Sequence, residues 1–94
     1  MPTPELRIRT WVAGTEADAR TGLLGYVSLE FGPLLLDGLT VRRTASGRIA
    51  LSFPERQDRT GRRHAIYRPL DDAARIAIEH AVLGELARQE EAQP

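Results

Sequence analysis

Glycine and proline punctuate the chain as far as Pro69, and between these breaks apolar side chains recur at every second position. A period of two marks strands with one face buried. In Leu6-Arg7-Ile8-Arg9-Thr10-Trp11-Val12 the alternation puts Leu6, Ile8 and Val12 on one face and Arg7, Arg9 and Trp11 on the other. Ala13 to Gly22 is polar, with glycines at Gly14 and Gly22, and reads as a loop. Leu23 to Phe31 reads as a second strand, with Leu23, Val27, Leu29 and Phe31 on one side and Gly25 at a bulge or close approach. Gly32-Pro33 turns the chain, and Leu34 to Arg43 returns as a third strand weakened at Gly38, which completes an antiparallel hairpin.

Thr44-Ala45-Ser46-Gly47 supplies the next turn, after which Arg48 to Phe53 alternates with Ile49, Leu51 and Phe53 on the apolar face. Pro54 ends that strand, because proline cannot donate to an interior ladder. Glu55 to Arg63 is wholly polar apart from its turn residue Gly61, and is expected to be an exposed, mobile loop. His64 to Arg68 predicts a fifth strand, closed by Pro69.

The period changes after Pro69. Asp71 and Asp72 stand where carboxylates cap a first helical turn, and one helix is predicted from about Asp71 to Gln89. At about 100° per residue, Ala74, Ala77, Ile78, Ala81, Val82 and Leu86 form a stripe that can cover the sheet. Ile76, Leu83 and Ala87 gather on nearly the opposite side, where a second copy of the chain is expected to meet them. The fold class expected is α+β: a small twisted antiparallel sheet of about five short strands with one C-terminal helix. Residues 1–94 form one domain, with 1–5 and 90–94 frayed.

Ninety-four residues make a thin core, since a chain this short buries only roughly 60–65% of its unfolded surface. Self-association would help it. Thirteen cations, all arginine, balance thirteen carboxylates, but unevenly. Residues 42–68 hold eight arginines against Glu55 and Asp58, a local charge of +6, whereas residues 1–41 carry −2 and residues 69–94 carry −4. Charge segregated this way suits a localised anion-binding surface or a basic loop that docks on an acidic partner.

Other chemistries find little support. The chain has no cysteine, which excludes disulfides and thiolate sites and favours the cytoplasm. No apolar run approaches the roughly 20 residues that cross a bilayer, and Met1-Pro2-Thr3-Pro4-Glu5 lacks the features of a signal peptide. His64 and His80 lack metal-ligand spacing, Ser28, Ser46 and Ser52 lack nucleophile-elbow glycines, and Gly47 and Gly61 are too isolated to cradle a phosphate. No catalytic residue, metal, cofactor or small-molecule substrate is expected.

From Pro54 onward a further pattern emerges. Pro54, Arg56, Gly61, Ile66 and Pro69 are followed by Arg75, Ile78, Ala81-Val82-Leu83 and Glu85, and preceded by Leu6-Arg7-Ile8-Arg9 and Asp37-Gly38-Leu39-Thr40-Val41. In order and spacing these residues resemble the septation-protein SpoVG family, also called stage V sporulation protein G. Arg63, His64 and Ala65 depart from that family's phenylalanine and Arg-Asp pair, Arg68-Pro69 stands for its His-Pro, and Gly38 replaces the Asp of its His-Asp-Ile. The resemblance implies a homodimer joined through the sheet, and a regulator that binds DNA or RNA through the basic residues after the proline. Arg56 and its loop are the matching positions.

The residues expected to hold nucleic acid are Arg56, Arg59, Arg62, Arg63 and His64, flanked by Arg48 and Arg68 and, at a strand end, by Arg42 and Arg43. Four loop arginines per subunit on phosphates would give a salt slope approaching roughly −7 for a dimer. Phosphate contacts carry little sequence information, so selectivity would need Trp11, His64 or Tyr67 to reach a base. Trp11 is expected instead to pack under the helix or at an interface.

Overall fold

The computed structural model describes residues 5–92 and has an α+β architecture. Strands β1 (Leu6–Ala13), β2 (Leu23–Phe31), β3 (Leu34–Arg43) and β4 (Ile49–Ser52) form an antiparallel sheet in chain order. A separate two-stranded ladder pairs β5 (Glu55–Gln57) with β6 (Arg63–Ala65). A short helix α1 (Glu16–Arg20) joins β1 to β2, and α2 (Asp72–Ala92) follows the ladder.

Four of the local expectations change. The segment read as a loop from Ala13 to Gly22 contains α1, which a reciprocal capping box starts: Asp18 N–H donates to Thr15 Oγ1 at 3.1 Å, and Thr15 N–H to Asp18 Oδ2 at 3.0 Å. The fifth strand does not join the main sheet. Pro54 interrupts the chain, and β6 pairs with β5 instead, so the segment expected as a mobile loop is a hairpin. At the other end, α2 runs through the expected frayed positions as far as Ala92, while residues 1–4 and 93–94 lie outside the described range.

The fourth change is one of parity. The β1–β2 register shifts between Ile8 and Thr10, and one extra residue in a strand moves every later side chain to the other face. Trp11 therefore turns toward the core, and Val12 is 60% exposed. The indole lies against Gly25, where a Cβ would overlap it, so glycine there makes room for the ring.

Val27, Leu29, Leu39, Val41, Leu51 and Val82 form the buried core between the sheet and α2. Each such side chain contributes roughly 1.5–3 kcal/mol of burial. Asp71 caps α2 as expected, accepting the Ala74 amide at 2.8 Å. The sheet-facing side of the helix differs from the predicted stripe: it carries Ile78, Val82, Leu83 and Leu86 together with Glu79, which is only 5% exposed. Leu83 thus packs on its own sheet, beside Trp11, Leu24 and Leu86, rather than on an unpartnered face. Of the three residues expected at a dimer interface, Ile76 and Ala87 remain exposed.

Glu79 explains the helix's rotation. Its carboxylate accepts the Leu51 N–H of strand β4 at 2.9 Å, Arg75 Nη1 at 2.7 Å and Arg48 Nη2 at 3.4 Å. A charge taken out of water needs such partners, and these come from the helix, the strand and the turn before that strand. The cluster pins α2 to the edge of the sheet.

Candidate functional site

The β5–β6 hairpin pairs Arg56 with His64 and Gln57 with Arg63, and every residue of both strands is exposed. With no buried side chain to hold it, its shape rests on hydrogen bonds in the turn and at the base. In the turn, Asp58 N–H donates to the Arg62 carbonyl at 2.9 Å and Gly61 N–H donates to the Asp58 carbonyl at 3.0 Å. Gly61 has φ +85°, so the loop is a three-residue connection closed by a glycine bulge.

The Asp58 side chain completes the turn. Oδ1 accepts the Thr60 hydroxyl at 2.6 Å, the Thr60 amide at 2.9 Å and the Arg62 amide at 3.0 Å, and Oδ2 lies 2.8 Å from His64 Nε2. Hydrogen bonds from Thr60 and His64, and then from the Arg62 and Thr60 amides, favour the ionised carboxylate and lower its pKa from 3.8 to about 2. At neutral pH the acid is already occupied by hydroxyl, amide and imidazole.

At the base, Ile66 N–H donates to the Pro54 carbonyl at 3.0 Å and the Tyr67 hydroxyl donates to the Asp37 carbonyl at 2.7 Å. Tyr67 also stands edge-on to Phe53, with ring centroids 6.0 Å apart. Burial, and then the Asp37 charge, raise the Tyr67 pKa, so the phenol stays protonated as a donor.

The expected binding residues separate into four groups. Arg56, Arg59, Arg62, Arg63 and His64 are brought together on the hairpin, and among the described residues no carboxylate lies within 4 Å of the four guanidinium groups. Arg56 and Arg63 share a shallow polar recess with Glu55 and Gln57. Arg48 is drawn off to Glu79, and Arg68 stands at the rim of an apolar groove on the main body. Arg42 and Arg43 lie at the exposed end of β3.

Two aromatic side chains of β2, Tyr26 and Phe31, are exposed on the main sheet, and the others are committed to packing. Trp11 packs against the core, and Tyr67 is tied to Phe53 and Asp37, which leaves the half-exposed His64 as the ring on the hairpin itself. His64 and His80 sit on separate elements, β6 and α2, and no group of three or more His, Asp or Glu among the described residues could hold a metal ion. No described helix is long and apolar enough to cross a membrane.

Sequence reasoning missed two of the residues that shape this surface. Asp58 had a readable signal, because Asp58-Arg59-Thr60-Gly61-Arg62 has the pattern of the turn at Thr44-Ala45-Ser46-Gly47-Arg48. Glu79 had none, since a single acid within a helix pattern is ordinarily solvated. No protein-family model matches the chain, and no curated protein matches it at a significant level.

Proposed function

We propose that this chain is a non-catalytic, nucleic-acid-binding regulatory protein of the cytoplasm, working as a homodimer and holding phosphates on the hairpin arginines Arg56, Arg59, Arg62 and Arg63. The observation that carries this reading is the release of these four cations from carboxylates on a hairpin where, of its two acids, Asp58 is consumed by the turn and Glu55 makes no salt bridge within 4 Å among the described residues. Guanidinium groups fork onto phosphate oxygens in paired hydrogen bonds, and a pre-shaped hairpin loses little freedom when it binds.

Such a surface reads the backbone far more than the bases. With Trp11 and Tyr67 committed to packing, the expected preference for sequence is weak, and His64 is the ring placed to touch a base.

Labelled duplex and single-stranded DNA and RNA, titrated across a salt series, test the reading. Four phosphate contacts per copy predict a log–log slope of roughly −3 to −4 for each hairpin engaged. No binding to any oligonucleotide at low salt, alongside tight binding to a polyglutamate or acidic-peptide probe, would reassign the hairpin to docking on an acidic protein.

A further inference from the structure

Beside the hairpin base lies an apolar groove of about 230 Å³. Its walls come from Phe31, Leu34 and Leu36 at the β2–β3 end, Phe53 after β4 and Ile78 on α2, with Arg68 and Pro69 at the rim. Next to Pro69, Leu70 is 93% exposed, the most exposed of the large apolar side chains described. Phe31 and Leu34, 36% and 57% exposed, extend the same patch.

Leu70 is held outward from both sides. The chain before it is tied down by Tyr67 on the Asp37 carbonyl, and the chain after it by Asp71, which caps α2 through the Ala74 amide at 2.8 Å. It is a fixed knob, and a hole lies beside it on the same surface. An apolar cavity of roughly 150 Å³ takes a six-carbon ring, so a four-carbon leucine side chain fits a space of 230 Å³.

The charges around the knob are likewise complementary to each other. Arg68 precedes it, with no carboxylate within 4 Å among the described residues, and Asp72 follows it, with one oxygen 3.3 Å from Arg75 Nε of its own helix but a side chain still 88% exposed and open to a second cation. A twofold axis brings residue i of one copy to residue j of the other and j to i, so a patch with knob, hole, cation and anion satisfies itself.

From this arrangement we infer that the Pro69–Leu70 corner is where two copies of the chain pair: Leu70 of each enters the groove of the other, and Arg68 of each meets Asp72 of the other. This deepens the homodimer in the proposed function and relocates its contact from the Ile76, Leu83 and Ala87 stripe to the groove. It does not depend on what the hairpin binds. Pairing here joins the two copies beside the chain segments that leave β6, so both hairpins belong to one binding unit.

Sedimentation velocity at micromolar concentration, with circular dichroism to confirm folding, tests it. Wild type is expected to sediment as a dimer. Leu70→Asp, at a surface position that the monomer's fold does not need, removes two knobs per dimer and is expected to weaken association at least about 100-fold. Arg68→Asp is expected to weaken it less, and Arg68→Asp combined with Asp72→Arg to restore it. Arg62→Ala with Arg63→Ala should leave the dimer intact, which separates failure of pairing from failure of nucleic-acid binding.

A monomeric wild type would overturn the inference, as would a dimer that survives Leu70→Asp. So would an assembly that Ile76→Glu dissolves and Leu70→Asp does not.

Discussion

The two glycine-bulge turns of this protein are near copies that end differently. At Thr44–Arg48, Thr44 N–H donates to the Arg48 carbonyl at 2.7 Å, Thr44 Oγ1 accepts the Arg48 amide at 3.1 Å and Gly47 has φ +84°. At Asp58–Arg62 the same bonds recur at 2.9 and 3.0 Å, with Gly61 at φ +85°. Each turn delivers an arginine just after its glycine. Arg48 lies within reach of the buried Glu79 and becomes part of a structural cluster, whereas Arg62 is exposed in its turn and has no carboxylate within 4 Å among the described residues. Whether an arginine serves the fold or a ligand is decided here by what stands across from the turn.

Removing the acid should give the largest effect. Glu79→Ala leaves the buried Leu51 amide without its partner and takes from Arg75 the nearer of its two carboxylates, Asp72 remaining at 3.3 Å, and is expected to cost up to about 3 kcal/mol of stability, read as a lower denaturant midpoint. Glu79→Gln should cost less, because the amide oxygen can still accept from Leu51. If Arg48 is withheld from nucleic acid only by Glu79, the Gln variant also steepens the salt slope by up to about 0.9. An unchanged slope would show that the turn's position, rather than the ion pair, keeps Arg48 out.

On the hairpin side, Arg62→Ala with Arg63→Ala is expected to lower nucleic-acid affinity by about 100-fold at low salt and to flatten the slope by about 2, with thermal stability unchanged. Arg48→Ala should do the reverse, lowering stability while affinity holds. Equal losses of affinity from both would erase the distinction between the turns.

The glycines should report the same contrast more weakly. Both lie in the left-handed region with open space where a Cβ would stand, so Gly47→Ala and Gly61→Ala each cost roughly 1–2 kcal/mol of backbone strain and no steric clash. Gly47→Ala should lower the global unfolding midpoint, because its turn joins two strands of the main sheet. Gly61→Ala should leave that midpoint nearly unmoved and show itself as lost amide-exchange protection within the hairpin.

The smallest effect concerns protons. The folded pKa of Asp58 is lowered from 3.8 to about 2, so its contribution to the turn is complete above the unfolded value and is lost as pH falls through the folded one. Amide resonances of Thr60 and Arg62 should therefore hold steady down to about pH 4 and shift below it, with a midpoint near 2. Asp58→Asn should remove that titration. The Thr44 turn, which uses a hydroxyl in the same place, should show none.

Much of this was legible along the chain. The strands through Arg43, the Gly32-Pro33 turn, the Asp71 cap and the gathering of arginines between Arg56 and Arg63 all follow from short-range patterns. Alternation reports a buried face, proline removes a donor, and a carboxylate suits free amides at a helix start. The capping box at Thr15 and Asp18 was also local, but five residues of helix are too short to reveal a period.

The remaining features required distant residues to meet. A bulge in β1 reverses Trp11 and Val12 because β2 sets the register, and nothing within Leu6–Ala13 records that shift. Glu79 faces inward because Leu51, 28 positions earlier, offers it a strand-edge amide, and this turns α2 enough to bring Leu83 onto the sheet. The amino-acid order determined where helix, strand and basic segment lie, since those depend on neighbours a few residues apart. Which arginines stay free and which apolar side chains stay outside was decided only by tertiary pairing, because burial and ion pairing depend on what folds opposite.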